Sequence, residues 1–180
     1  DARLYRYKLE GKEARVLRIQ RSSRMAEELL YHQFVHKILN QQGLKAPLIQ
    51  SVCSDKSVLG GVFAVMDFLP GEILFQQMPK VHGTVLAESM ANMHGVNVQP
   101  IIDTFRDAGI PDDVFLSSAL IEKNLSFFAN KIPWAAELVS WLQDRLPLSG
   151  NDLSVIHGDY HAGNILFENG NITGVVDWNF

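Results

Sequence analysis

Apolar and polar positions alternate at the start of the chain and later recur with a helical period, and that switch predicts its elements. Residues 4–9 and 14–19 read as two strands, rich in tyrosine and large apolar side chains, joined by the turn Glu10-Gly11-Lys12-Glu13. A polar, basic connection at 20–24 follows. Met25, Leu29, Leu30, Phe34, Val35, Ile38 and Leu39 then fall on one helical face, and Gly43 and Pro47 stop the helix. Residues 48–53 and 61–68 are strand-like, with a loop at 54–57. Pro70-Gly71 breaks this pattern. From 81 to 147 the chain is helical in character, with helices expected at 84–94, closed by Gly95, at 113–131 and at 134–146. Pro133 marks a helix start and Pro147 lies past an end. Trp134 and Trp141, with Met66, Met90 and Met93, are expected to pack in the interior. Strands return at 154–156, 165–167 and 172–176.

The shift from mixed α/β to helical composition places a lobe boundary at 67–72. This gives an α+β chain with a small β-rich lobe at 1–68 and a mainly helical lobe at 69–180. With 180 residues, 47% of them apolar, it can bury a substantial core. The apolar stretch at 59–69 is too short and too interrupted to span a bilayer, and the charged start lacks a leader's apolar core, so a cytoplasmic protein is expected. One cysteine, Cys53, excludes an internal disulfide and cysteine-cluster metal sites. A net charge of −4 argues against nucleic acid as a partner. That charge is unevenly spread: residues 1–102 carry +3 and residues 103–180 carry −7. A positive half suits nucleotide phosphates and an acidic half a cationic substrate.

The closing segment carries the chemistry. His157-Gly158-Asp159-Tyr160-His161-Ala162-Gly163-Asn164 precedes a hairpin, and Asp177-Trp178 follows it. If Gly170-Asn171 forms the two-residue loop, Asn164 falls opposite Asp177; if Asn169-Gly170 forms it, Asn164 falls opposite Val175. Both registers keep Asn164 and Asp177 within reach of one cation. Mg²⁺ takes a few hard oxygen ligands from protein and the rest from water and phosphate, which suits one amide and one carboxylate. Asp159 is then left to receive a proton from an attacking hydroxyl, the division of labour of a kinase phosphoryl-transfer site.

These motifs resemble those of the aminoglycoside phosphotransferase and choline-kinase-like family, within the bilobal protein-kinase-like fold. Upstream, Val16-Leu17-Arg18 resembles the strand with the family's phosphate-contacting basic residue. Val65-Met66-Asp67-Phe68-Leu69-Pro70-Gly71 resembles its interlobe linker, and the helix ending at His94 its first large-lobe helix. The resemblance implies Asp159 as catalytic base, Asn164 and Asp177 as magnesium ligands, and Arg18 on the phosphates of ATP. Asp67 and Phe68 would meet the adenine. His157 would brace the loop, Gly158 and Gly163 would permit its tight turns, and His161 would contact the substrate or pack beneath the loop. His32 stands where the family's helix carries the acidic partner of the basic residue, and Glu28, one turn earlier, is the candidate substitute. Ala162 replaces a usual proline. Relative to the family pattern the chain looks truncated at both ends, without the phosphate-covering loop and the substrate-pocket helices.

The implied activity is a small-molecule kinase moving the γ-phosphoryl group of ATP, with Mg²⁺, to a hydroxyl; family members act on antibiotics, choline, sugars and amino acids. A catalytically silent nucleotide-binding module is the alternative. A metal-dependent phosphoesterase, read from Gly158-Asp159-Tyr160-His161, would need an upstream Asp-x-His that the chain does not have.

Overall fold

The opening alternation forms a hairpin of β1, Ala2–Lys8, and β2, Ala14–Gln20, in a computed structural model that describes residues 2–20, 25–77, 83–145 and 153–178. Of residues 25–28, 113, 117–120 and 122–123 it describes the backbone alone. The connection at 21–24, and Leu146 and Pro147 at the expected end of the last helix, lie outside the described residues. Two compact units appear: 1–97 with 154–180, and 98–153.

In the first unit, helix α1, Met25–Gln41, is followed by β3, Ile49–Cys53, a single helical turn α2, Lys56–Leu59, and β4, Val62–Asp67. The four strands form an antiparallel sheet in the order β1-β2-β4-β3. Strict alternation along β4 buries Val62, Ala64 and Met66, which join Leu29 of α1 and Ile49 of β3 in one core, with Val16 and Val52 packed against it. Burying each of the larger ones, Leu29, Ile49, Val62 and Met66, contributes roughly 1.5–3 kcal/mol. Gln33 Nε2 donates to the Ile49 carbonyl at 3.0 Å, tying α1 to the edge strand.

The expected loop at 54–57 is partly the α2 turn, because Asp55 caps it, its carboxylate accepting from the Ser57 N–H at 2.8 Å. After β4 the chain runs without regular structure through 68–70 to a two-residue strand β5, Glu72–Ile73, and the turn α3, Leu74–Gln77, neither of which the sequence pattern signals. Helix α4, Gly83–His94, follows. The irregular segment between β4 and β5 lies where the sequence places the lobe boundary, but the residues on both sides of it belong to the first compact unit.

The second unit holds α5, Gln99–Asp107, α6, Asp112–Phe115, α7, Ser117–Lys131, a 3₁₀ turn at Pro133–Ala135 and α8, Ala136–Gln143. Helix α5, which buries Ile101, Ile102 and Phe105, is an element for which the sequence pattern sets no separate bounds. The single helix expected at 113–131 is two, broken at Leu116, where the backbone is extended. Pro133 opens a 3₁₀ turn rather than a long helix, so Trp134 and Trp141 do not share a helix. They are 84% and 52% exposed, contrary to the expected burial. Met90 is also exposed, whereas Met66 and Met93 are buried as expected.

The closing strands are β6, Ile165–Glu168, and β7, Asn171–Val175, in a second sheet of order β5-β6-β7. The strand expected at 154–156 does not form. Val155 is buried, but no strand pairs with the segment.

Candidate active site

The hairpin turn is Asn169-Gly170, with φ of 52° and 83°, so of the two loops open to the sequence the second forms. A bulge then adds a residue on β7: Phe167 pairs with Ile172, but Leu166 pairs with Gly174 and Ile165 with Val175. Beyond the strands the Val176 N–H donates to the Asn164 carbonyl at 2.9 Å. Asn164 therefore stands opposite Val176, between the two positions the alternative loops predict, and Asp177 is the next residue.

Two buried rings hold this junction. His157, 1% exposed, donates from Nε2 to the Val176 carbonyl at 2.9 Å and accepts at Nδ1 from the Asp159 N–H at 3.3 Å. Burial pushes its pKa down, so the ring is neutral with its proton on Nε2. Trp178, 2% exposed, packs its ring 4.6 Å from that of His157 and donates from Nε1 to the Val175 carbonyl at 2.9 Å. Asp177, between β7 and this buried indole, adopts φ of 60°, and its carboxylate is exposed. Tyr160 donates to the Leu86 carbonyl at 3.2 Å, fastening the loop to α4. The sequence pattern alone assigns a role to neither Trp178 nor Tyr160. Their large rings beside the motif's polar residues were the available signal.

On the loop, Gly158 has φ of 81°, a conformation glycine adopts freely. Gly163 is not left-handed but lies in the 3₁₀ turn Ala162–Asn164. Its hydrogen lies against the His161 ring, and a Cβ there would sit 2.6 Å from Cε1. The Gly163 N–H donates to His161 Nδ1 at 2.9 Å, which leaves the ring proton on Nε2, 3.5 Å from Asp159 Oδ2. Asn164 Nδ2 donates to the Asp159 carbonyl at 3.0 Å and to Oδ2 at 3.3 Å. With its nitrogen committed to Asp159, Asn164 has its amide oxygen available as a ligand. Among the described residues no cluster of three or more His, Cys, Asp or Glu could hold a metal. The donor set is instead one amide oxygen and one carboxylate, which fits a hard cation that keeps water and phosphate ligands.

Arg18 reaches the same place from β2. Its Nη2 lies 3.5 Å from Asp177 Oδ1. A cavity of about 570 Å³ is lined by Arg18, His32, Asp67, Phe68, Asn164 and Asp177, with Val16, Met66, Leu69 and Leu166 among its apolar walls. Asp67 is held by Arg15 at 3.1 Å and by Gln50 at 2.7 Å, and the Phe68 ring is covered by the Arg6 guanidinium, 3.9 Å from its centroid. His32 stacks on His36, and burial, reinforced by His36 and Arg18, lowers its pKa to about 3, so it is neutral. Glu28 lies on the first turn of α1, and its side chain is outside the described residues.

Comparison with known proteins bears on this arrangement. The chain is 26% identical over 159 residues to mouse acyl-CoA dehydrogenase family member 10 and 28% identical over 155 residues to human family member 11. These matches cover 80% of the chain but only 14% and 20% of those proteins. A name carried by so long a polypeptide does not describe the chemistry of the matched stretch. Among solved structures, the macrolide 2'-phosphotransferase MphH from Brachybacterium faecium superposes with a TM-score of 0.66 at 19% identity, over 99% of this chain and 62% of that one. Spectinomycin phosphotransferase APH(9)-Ia, solved with ADP and spectinomycin, superposes with a TM-score of 0.54 at 16% identity, over 99% and 60%. The fold is thus the protein-kinase-like one, and the chain spans about three fifths of these solved relatives. The model of the phosphotransferase enzyme family matches residues 1–180, and the chain belongs to that family.

Proposed function

We propose that this chain carries the nucleotide site and catalytic loop of an ATP-dependent kinase that phosphorylates a hydroxyl of a small molecule. The lobes would be 1–68 and 69–180, in the cytoplasm where ATP is abundant. The observation that carries the reading is that Arg18, Asn164 and Asp177, from three separate stretches of sequence, line one cavity, with the Asp159 carboxylate bonded to Asn164.

In this reading the apolar walls of the cavity take the adenine, beside Asp67 and Phe68, and Arg18 turns its guanidinium to the phosphates. Asp159 receives the proton of the acceptor hydroxyl as its oxygen attacks the γ-phosphorus and the bond to the β-phosphate oxygen breaks. Oδ2 of Asp159 is engaged by Asn164 and faces His161, so Oδ1 is the oxygen for that proton. Asn164 Oδ1 and the Asp177 carboxylate would hold magnesium, which when bound supplies positive charge against the phosphate oxygens. The excess of acidic residues after position 102 supports a cationic acceptor.

The test is turnover of Asp159→Ala on ATP with a panel of aminoglycosides, choline and sugars. Turnover should fall by at least about 100-fold while Mg-ATP affinity changes little. Turnover equal to wild type would sink the assignment. Neutral His32, in place of a helix carboxylate facing Arg18, favours a second reading, a silent nucleotide-binding module. Such a module would bind Mg-ATP and consume none with any acceptor.

A further inference from the structure

The alternation of β2 puts Val16, Arg18 and Gln20 on one face, and Gln20 closes the strand as a 2% exposed amide. So buried an amide needs partners. With its oxygen toward Arg18, Gln20 accepts from Nε at 3.0 Å and from Nη2 at 3.1 Å; the reverse orientation would set NH₂ against N–H, donor against donor. The residue is also fixed through its backbone. Gly61 crosses so close that a Cβ there would sit 2.4 Å from the Gln20 carbonyl oxygen. Asp177, by contrast, is exposed and meets Arg18 at 3.5 Å through one nitrogen, a contact of the weak, exchangeable kind. Nη1 takes part in neither contact.

We propose that Gln20 is the positioning residue of the phosphate-binding arginine. Its buried oxygen holds the Nε edge of Arg18 in every state of the site, so that Asp177 can leave the guanidinium while Nη1 stays aimed at the nucleotide's phosphates. This rests on the nucleotide reading above. It gives a neutral amide on the same strand the part of a carboxylate on α1, and it explains an arginine at this position, since lysine has no second edge to be gripped while it binds phosphate.

The test measures dissociation constants of Mg-ADP and of adenosine for the 180-residue chain. Gln20→Met, which keeps length but removes the acceptor, should weaken Mg-ADP about tenfold and leave adenosine within about twofold. Gln20→Glu, which keeps an acceptor, should stay within about threefold of wild type for Mg-ADP, as should Glu28→Gln, the rival anchor. Equal loss for both ligands in Gln20→Met means a merely structural residue and overturns the proposal, as does no loss, or the loss appearing in Glu28→Gln instead. Should Gln20→Met not fold, hydrogen exchange of the Arg18 Nε–H in the wild-type chain, read by ¹⁵N NMR, decides: protection supports the anchor and exchange at the solvent rate refutes it. If the wild-type chain binds Mg-ADP no more tightly than adenosine, the nucleotide reading itself fails and the role of Gln20 falls with it.

Discussion

Asp177 occupies a left-handed backbone conformation that costs a non-glycine residue about 1 kcal/mol, and aspartate is among the few that tolerate it. The burial of Trp178 next to it holds that conformation in place and turns the carboxylate outward. The loop preceding it depends on contacts as close. Gly163→Ala would push a methyl into the His161 ring, break the bond from the Gly163 N–H to Nδ1 and draw Nε2 away from Asp159. The expected result is a fall in kcat of about tenfold, with Mg-ADP affinity unchanged, because only the orientation of the proposed base is disturbed. Steady-state kinetics beside a binding titration separate the two, and an unchanged kcat would remove His161 from the loop's working parts.

Between β4 and β5, the segment 68–71 rests on the β6-β7 hairpin. A Cβ on Gly174 would come within 2.5 Å of Leu69 Cδ1 and 3.2 Å of Leu69 Cβ, a clash no rotamer change fully relieves. Gly174→Ala should therefore weaken Mg-ADP binding by displacing a wall of the cavity, and Leu69→Ala in the same chain should restore part of it. The double-mutant cycle should give a coupling of about 1 kcal/mol, and strict additivity would show that hairpin and linker move independently. This dependence is the kind of feature the sequence hides. The strands, α1 and α4 were legible because their apolar periods are dictated by a core close at hand. Both candidate loops of the last hairpin were legible too, from Asn169-Gly170-Asn171. The bulge was not, since its extra residue is Thr173, whose hydroxyl donates to the carbonyl of Pro70, far away in sequence. Nor was β5, whose two residues form a strand only because β6 is beside them. The motif residues were legible by spacing, while the parts of Gln20, Tyr160 and Trp178 depend on partners distant in sequence or on burial.

For the molecule as a whole, the buried histidines set the response to acid. His32 and His36 have pKa values lowered from 6.5 to about 3 and about 4, in both cases chiefly by burial, with mutual or neighbouring positive charge adding to it. Above pH 6.5 both are neutral whether the chain is folded or not, and they leave stability unchanged. As pH falls below 6.5 the unfolded chain takes up two protons that the folded chain refuses, so stability is lost progressively toward pH 4. The slope approaches about 2.7 kcal/mol per pH unit for the pair. Urea unfolding at pH 7, 5.5 and 4.5 should show this decline, and His32→Gln should reduce the slope by less than half, because burial also lowers the pKa of His157. An equal slope in that variant would assign the acid lability elsewhere.

Twelve residues separate Asn164 from Asp177, and the bulge makes that number more than a length. Adding or removing one residue in either strand would reverse which side chains face the cavity from that point on, whereas a longer turn beyond Glu168 and Asn171 would leave every pairing below it intact. Natural variation in this chain's relatives should therefore collect insertions at the hairpin tip and avoid single-residue changes along its strands.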